Sequence, residues 1–301
     1  MSSQATIVTD EEMLKQEGLR HVVDSMPGIT RRKHGTGFSY RDASGATIVD
    51  PQERERIRAL VIPPAWTDVW ICPYPNGHLQ ATGFDDRGRK QYLYHPRWRE
   101  VRESAKFDRL IEFADALPGI RARVARDMSL RGLPREKVLA TVVQLLELTL
   151  IRVGSAEYAR DNDSYGLTTM RKKHIDLNGS DVRFRFTGKS GKSWDLTITD
   201  RRIANVVRRC SDLPGYELFK YEDDSGTLVD VTSSDVNAYL REISGTEFTA
   251  KDFRTWAGTV LAAMEMDALP AADSATEAKH QVVQVIDSVA QQLGNTPAIC
   301  R

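Results

Sequence analysis

Two periodicities divide this 301-residue chain. Over about the first hundred residues, apolar runs of strand length sit between turn signals. Asp42-Ala43-Ser44-Gly45, Pro75-Asn76-Gly77 and Asp85-Asp86-Arg87-Gly88 are the turns, since Asp and Asn brace a bend with their own side chains and Gly tolerates positive φ. The runs VWICPY, LQATGF and KQYLYH between them predict strands of a meander. Only residues 11–23 carry a helical pattern there. From about Arg102 the period lengthens to 3.6. Residues 136–151 place Leu139, Val142, Val143, Leu146 and Leu150 on one broad apolar stripe, the mark of a helix buried along one side. Residues 200–210, 234–243 and 251–266 predict further helices. Ser274 and Glu277 have capping-box spacing for a last helix, which runs to about Leu293 and stops at Gly294. One β element interrupts this half. Val182, Phe184 and Phe186 alternate with polar residues, as do Trp194, Leu196 and Ile198, and a Gly-rich tip, residues 187–192, joins the two runs. The pattern predicts an α+β chain: a small β-rich N-terminal domain over residues 1–100 and a larger, mostly α-helical domain with a β-hairpin over 101–301. No internal repeat or low-complexity linker marks the boundary, which rests on the change of period near residues 98–102.

Charge sharpens this picture. Lys plus Arg and Asp plus Glu each number 42, so net charge points to no partner. The distribution is uneven: residues 1–209 hold 36 basic and 27 acidic side chains, residues 210–301 hold 6 and 15. A basic body fits an electrostatic footprint for nucleic acid, although two solvated faces of unlike sign give the same count. Cys72, Cys210 and Cys300 are few and far apart, which indicates neither a disulfide framework nor a cysteine metal site. The polar, acidic N-terminus lacks the pattern of a signal peptide, and no apolar stretch approaches the roughly 20 residues of a membrane span. A soluble protein of a reducing interior is expected.

Three basic residues, Arg152, Lys189 and Arg254, stand in settings that suit chemistry. Arg152 follows the apolar run LLELTLI and precedes Gly154; the plain alternative is a helix-end arginine held by a carboxylate such as Glu157. Lys189 sits on the hairpin tip, where an ammonium projects beyond the fold, unless it is an ordinary exposed turn lysine. Lys251 and Arg254 lie three apart and share a helix face, with Phe253, Trp256, Val260 and Leu261 to bury the other side; a surface pair beside Asp252 is the plain alternative. Gly191-Lys192-Ser193 hints at a phosphate-binding loop, but that motif needs Gly four residues earlier and Phe186 is there. No ATP site is expected.

Taken together, Arg152 in RVGSAEYA, Lys189 in the hairpin, Arg254 in KDFR and then GNTP follow one order. That order and its spacings resemble the type IB DNA topoisomerases, in particular the small form of bacteria and poxviruses. The resemblance runs from about Pro63 to Arg301. It implies the fold shared by tyrosine recombinases and these topoisomerases, and it implies metal-free, ATP-independent transesterification with no cofactor. Arg152 and Arg254 resemble the two arginines that bind the scissile phosphate's non-bridging oxygens, a task suited to a guanidinium fork. Lys189 resembles the general acid that protonates the departing 5′ oxygen. Asn295 stands where poxvirus and eukaryotic members carry histidine and bacterial members carry asparagine. Gly88–His95 resembles the strand that enters the DNA major groove. Gln91 and Tyr94 are set off Tyr92's face by the strand period and would contact base edges. Arg87, Arg89 and Lys90, with Arg97 and Arg99, would meet phosphates. Arg171, Lys172, Lys173, Lys251 and Arg208-Arg209 would add further phosphate contacts. His174 is expected to order local structure.

In that family a nucleophilic tyrosine follows the segment matching Asn295-Thr296-Pro297. None of the nine tyrosines follows Asn295. The expectation is that the nucleophile falls about three residues beyond Arg301, and that the chain of 301 residues binds DNA without cleaving it. The resemblance implies a monomeric DNA-relaxing isomerase of the bacterial nucleoid. A tyrosine recombinase or integrase is the first rival; it usually carries a histidine three before the second arginine, where Lys251 stands. A non-catalytic DNA-binding module is the second. A metal-dependent nuclease is a weaker third, because the adjacent acids Asp85-Asp86 and Glu222-Asp223-Asp224 sit beside glycines and read as turns.

Overall fold

The computed structural model describes residues 10–223 and 225–300. The chain divides after Asp108 into two compact units. In the first, helix α1 (Asp10–Gln16) is shorter than the pattern over 11–23 predicted, because Gly18 turns the chain at φ 65°. Strands β1 (Ile29–His34), β2 (Gly37–Arg41), β3 (Thr67–Ile71), β4 (Leu79–Phe84) and β5 (Lys90–Tyr94) form one antiparallel sheet in the order β2-β1-β3-β4-β5. The register aligns Ile29, Ile71, Ala81 and Leu93 in one row across the strands. That row faces a core built with Ile57 and Val69. Ile57 comes from helix α2 (Pro51–Ala59), which the sequence pattern missed. Asp50 caps it by accepting from the Gln52 N–H, and Pro51 opens its first turn. Val22, Met26, Cys72 and Leu79 pack with Trp70 in a second cluster.

Helix α3 (Pro96–Met128) starts earlier than the change of period implied and carries Pro118 in its interior. In the second unit, α4 (Arg135–Thr149) is the central element, with Val138, Leu139, Val142, Val143, Leu145 and Leu146 buried. A stripe on nearly every side is the expected signature of a helix surrounded by others. Around it stand α5 (Ala156–Asn162), a three-stranded antiparallel sheet of β6 (Ile175–Asn178), β7 (Asp181–Thr187) and β8 (Ser193–Thr199), helix α6 (Arg201–Asp212), and a two-stranded ribbon of β9 (Lys220–Glu222) and β10 (Leu228–Asp230). Helices α7 (Ser233–Ser244), α8 (Ala250–Asp267), α9 (Ala275–Leu293) and the short α10 (Pro297–Cys300) complete the unit. The hairpin alternation holds: Val182, Phe184 and Phe186 are buried in β7. As expected, Ser274 accepts from the Glu277 N–H and Gly294 closes α9 at φ 61°. The α+β fold class is as the sequence implied. A further boundary differs: α4 ends at Thr149, not at residue 151, and Leu150 leaves the helix at φ 56°.

Candidate active site

The end of α4 builds the site. Thr149 Oγ1 donates to the Leu145 carbonyl at 2.6 Å and accepts from the Ile151 N–H at 3.2 Å, which closes the helix there. Leu150 then takes a left-handed conformation, a costly one for a branched side chain. Its carbonyl accepts from Arg254 Nη1 on α8. Two residues on, Arg152 donates from Nη1 and Nη2 to the Gly294 carbonyl, both at 3.2 Å, and from Nη2 to Asn295 Oδ1. Arg254 Nη2 donates to the Leu293 carbonyl at 2.5 Å and to the same Asn295 Oδ1 at 3.5 Å. Three sequence-predicted residues from three segments therefore meet at one oxygen.

The electrostatics of this junction are unusual for arginine. Every hydrogen-bond acceptor just named is a neutral carbonyl or amide oxygen, and Glu157 does not pair with Arg152 among the described residues. Burial, opposed weakly by Cys300, lowers the Arg152 pKa. Burial and then the charge of Arg152 lower that of Arg254 to about 10. Both remain cations near neutral pH. Two half-buried guanidiniums without a carboxylate form a site in want of an anion.

Backbone packing holds Arg152 in place. A Cβ on Gly166 would come within 2.5 Å of the Arg152 carbonyl oxygen and of Gly154 Cα, and the Leu167 N–H donates to that carbonyl at 2.9 Å. Sequence reasoning missed this strut; the glycine inside SYGLTT was its only signal. It also missed how α8 is anchored. Asp252 accepts from Arg109 Nε at 2.8 Å, Arg109 Nη2 at 3.1 Å and the Thr249 N–H at 2.8 Å. Arg109 also packs over the Phe248 ring.

The hairpin approaches from β8. Lys192 Nζ donates to the Gln291 carbonyl at 3.1 Å, and Gly294 rests on Trp194, whose ring a Cβ would meet at 2.6 Å. Lys189 is exposed, with its ammonium 5.7 Å from the Tyr158 ring centroid. Among the described residues it makes no hydrogen bond, so the structure does not bring it onto the arginine pair. Lys251 is exposed on α8. The Arg171 guanidinium lies 5.2 Å from the Tyr165 ring, and its Nε is buried without a hydrogen-bond partner. Lys172 Nζ donates to the Leu213 carbonyl, and Lys173 is exposed. His174 is buried against Tyr165, and its Nδ1 accepts from the Arg171 N–H at 3.1 Å.

In the first unit, Asp85 organises the turn before β5. It accepts from the Arg87 and Arg89 N–H groups, each at 3.0 Å, from Arg89 Nε at 2.8 Å and from Gln91 Nε2 at 2.9 Å. The Arg89 side-chain bond, with the backbone donors, lowers its pKa to about 2. Lys90 pairs with Asp24 at 2.5 Å. One expectation about this strand is corrected. Tyr94 lies on the face of Tyr92, their rings stacked 6.2 Å apart, and Gln91 faces the other way with Leu93. A period of two requires this.

Comparison with known proteins identifies a family. The family described as eukaryotic DNA topoisomerase I, catalytic core, matches residues 95–301, and that described as bacterial DNA topoisomerase IB, N-terminal domain, matches residues 37–85. The DNA topoisomerase 1B of Acanthamoeba polyphaga mimivirus is 33% identical over 283 residues, 92% of this chain and 84% of the viral protein. The DNA topoisomerase 1B of vaccinia virus (strain Copenhagen) is 23% identical over 197 residues, 63% of this chain and 62% of that protein. A solved structure of the XerH site-specific recombinase bound to difH substrate aligns at a TM-score of 0.40 and 12% identity over 62% of this chain and 48% of its own, too low to carry weight. The chain belongs to the type IB DNA topoisomerase family. Among the described residues no helix is long and apolar enough to cross a membrane.

Proposed function

We propose that this chain carries the phosphate-binding and acid–base groups with which a type IB topoisomerase relaxes supercoiled duplex DNA. What supports the reading is the convergence of Arg152 and Arg254 on Asn295 Oδ1, with only neutral acceptors around them. That oxygen marks the position a non-bridging phosphoryl oxygen would take. A phosphate seated there gains charge in its transition state, and preorganised guanidiniums stabilise that charge without reorganising. Asn295 Nδ2, which faces Cys300 Sγ at 3.5 Å, is the donor that a swing of the amide would offer to the phosphate.

The reaction assigned to this site is transesterification. A tyrosine oxygen attacks phosphorus, the bond from phosphorus to O5′ breaks, Lys189 gives its proton to O5′, and the phenolic proton passes to solvent. The 3′-phosphotyrosyl link conserves the bond energy, so the free 5′ end rotates and then attacks back to reseal without ATP. For Lys189 to act, the hairpin tip must move from its place over Tyr158 toward the arginine pair. Gln91, Tyr92 and Tyr94 meet base edges; Arg87, Arg89, Lys90, Arg171, Lys172, Lys173 and Lys251 meet phosphates, so binding weakens steeply with salt. The same reading makes the protein a monomer working on nucleoid DNA.

The test uses a polypeptide that contains this chain and a tyrosine after Asn295, mixed with an end-labelled nicked duplex in EDTA and resolved on a denaturing gel. A covalent adduct that Arg254→Ala abolishes is expected. Duplex binding without any adduct would favour the non-catalytic reading, and cleavage lost in EDTA would favour a metal-dependent nuclease. Strand exchange between two duplexes would favour a recombinase.

A further inference from the structure

The β1–β2 hairpin takes no part in the site described above, yet its build is specific. β1 pairs with β3 only at Ile29 and Thr30. Its pairing with β2 continues from Thr30–Arg41 to His34–Gly37. The outer part of the hairpin is therefore a two-stranded ribbon that runs on past β3. Its root is fixed: the Arg31 guanidinium donates to the carbonyls of Ile62, Pro63 and Trp66 at 3.3, 3.0 and 2.6 Å, and stacks 4.2 Å over Phe38. Arg32, Lys33, His34 and the Gly35-Thr36 turn beyond that root are exposed, as is Arg41 on the returning strand.

This ribbon has one sign of charge. Residues 29–41 contain four Lys and Arg, one His and no acid. The next acid, Asp42, is occupied by the Ser44 N–H, the Ser44 hydroxyl and the Ala46 N–H. Among the described residues the side chains of Arg32 and Lys33 make no hydrogen bond or ion pair. Adjacent on a strand, they point to opposite faces, so the ribbon is basic on both sides. The fold gains nothing from uncompensated like charges on a protruding element, whereas two lines of phosphate flanking a groove match them. A major groove admits a ribbon of two strands.

The register ties the ribbon to β5. Thr30 pairs with Trp70, Trp70 with Thr82 and Thr82 with Tyr92. Residues paired across strands share a face, so Arg32, His34 and Arg41 lie on the sheet face that carries Tyr92 and Tyr94. Three strand spacings, about 14 Å, separate β1 from β5, a few base pairs along a duplex. We infer that the β1–β2 ribbon is a second DNA-gripping element of the first unit, with Arg32, Lys33 and Arg41 holding backbone phosphates of the duplex that β5 faces. This rests on the reading that β5 meets duplex DNA.

The experiment is fluorescence anisotropy of this chain on a 30-base-pair duplex across a salt series. Arg32→Ala/Lys33→Ala should lose at least about tenfold in affinity near 0.1 M salt, and the slope of log affinity against log salt should flatten by about 1 to 2, near 0.9 per lost phosphate contact. Arg58→Ala, an exposed charge on α2 outside both elements, serves as the control and should change neither quantity. In the unmutated chain, duplex should protect Lys33 from amine acetylation read by mass spectrometry, which needs no variant to fold. Unchanged affinity and slope with Lys33 fully reactive would overturn the ribbon's role while Gln91→Ala still weakened binding. A chain whose binding to duplex is absent or indifferent to salt would instead remove the DNA reading itself.

Discussion

Arg254 donates from Nη1 to the main-chain carbonyl of Leu150, the residue that leaves α4 in a left-handed conformation. A helical Leu150 would aim that carbonyl along α4, so the strained residue and the arginine's position are one feature. A lysine cannot reach Leu150, Leu293 and Asn295 from one planar fork. Arg254→Lys should therefore slow adduct formation by roughly 10²-fold or more, a size typical of losing one transition-state donor. Duplex affinity should fall far less. Single-turnover cleavage and anisotropy on the same preparations separate the two, and equal losses in both would deny a transition-state role.

Two glycine substitutions should move stability in opposite directions. Gly166→Ala places a methyl 2.5 Å from the Arg152 carbonyl and from Gly154, all main-chain atoms that cannot yield. A cost of about 2–3 kcal/mol is expected, read as a lowered urea midpoint. Gly119 is exposed inside α3, and a Cβ added there would meet nothing within 4 Å. Gly119→Ala should gain about 0.5–1 kcal/mol of helix propensity. If both variants melted like the unmutated protein, the strut under Arg152 would not be rigid.

The contrast between those glycines also shows what a sequence discloses. Long elements with strong periodicity, such as α9 and the β7–β8 hairpin, were readable because each buries one face of regular spacing, and α4 was readable as a long apolar run although it is buried on nearly every side. The β1–β2 ribbon was not, since it buries almost nothing beyond Ile29 and so has no apolar alternation to read. Helix α2 buries only Ile57; its Asp50-Pro51 start was the available cue. The three residues gathered at Asn295 were legible through their local contexts. Their supports were not: the Leu150 carbonyl, Gly166 and the Arg109–Asp252 pair are contacts between distant segments, and pattern along a chain carries no record of them.

The Arg109–Asp252 pair should give acid-dependent stability. Burial raises the Asp252 pKa, but bonds from Arg109 and Thr249 outweigh it and the net value lies below 3.8. A carboxylate whose folded pKa is depressed contributes fully above the unfolded value and loses that contribution as pH falls through the folded one. Arg109 is 39% exposed, so solvent screens the pair, and about 1–2 kcal/mol is a fair scale. Asp252→Asn should lower the melting temperature by a constant amount from about pH 8 to about pH 5, and that gap should close below about pH 4. Melting curves across this range check it, and a gap that widened in acid would contradict the assignment.

Asp85 holds Arg89 and Gln91 while the protein is free of DNA. Any duplex contact made by these two side chains first has to displace that carboxylate. Asp85→Asn keeps an acceptor for the Arg87 and Arg89 N–H groups, so the turn survives, but it releases the Arg89 guanidinium from its ion pair. Affinity for duplex of any sequence should rise several-fold at about 0.1 M salt, with a steeper salt slope of roughly one more phosphate contact. Discrimination between two duplexes of different sequence should not improve, because a phosphate contact carries no base information. Anisotropy on both duplexes decides it: an unchanged salt slope would mean Arg89 stays on the turn when DNA is bound.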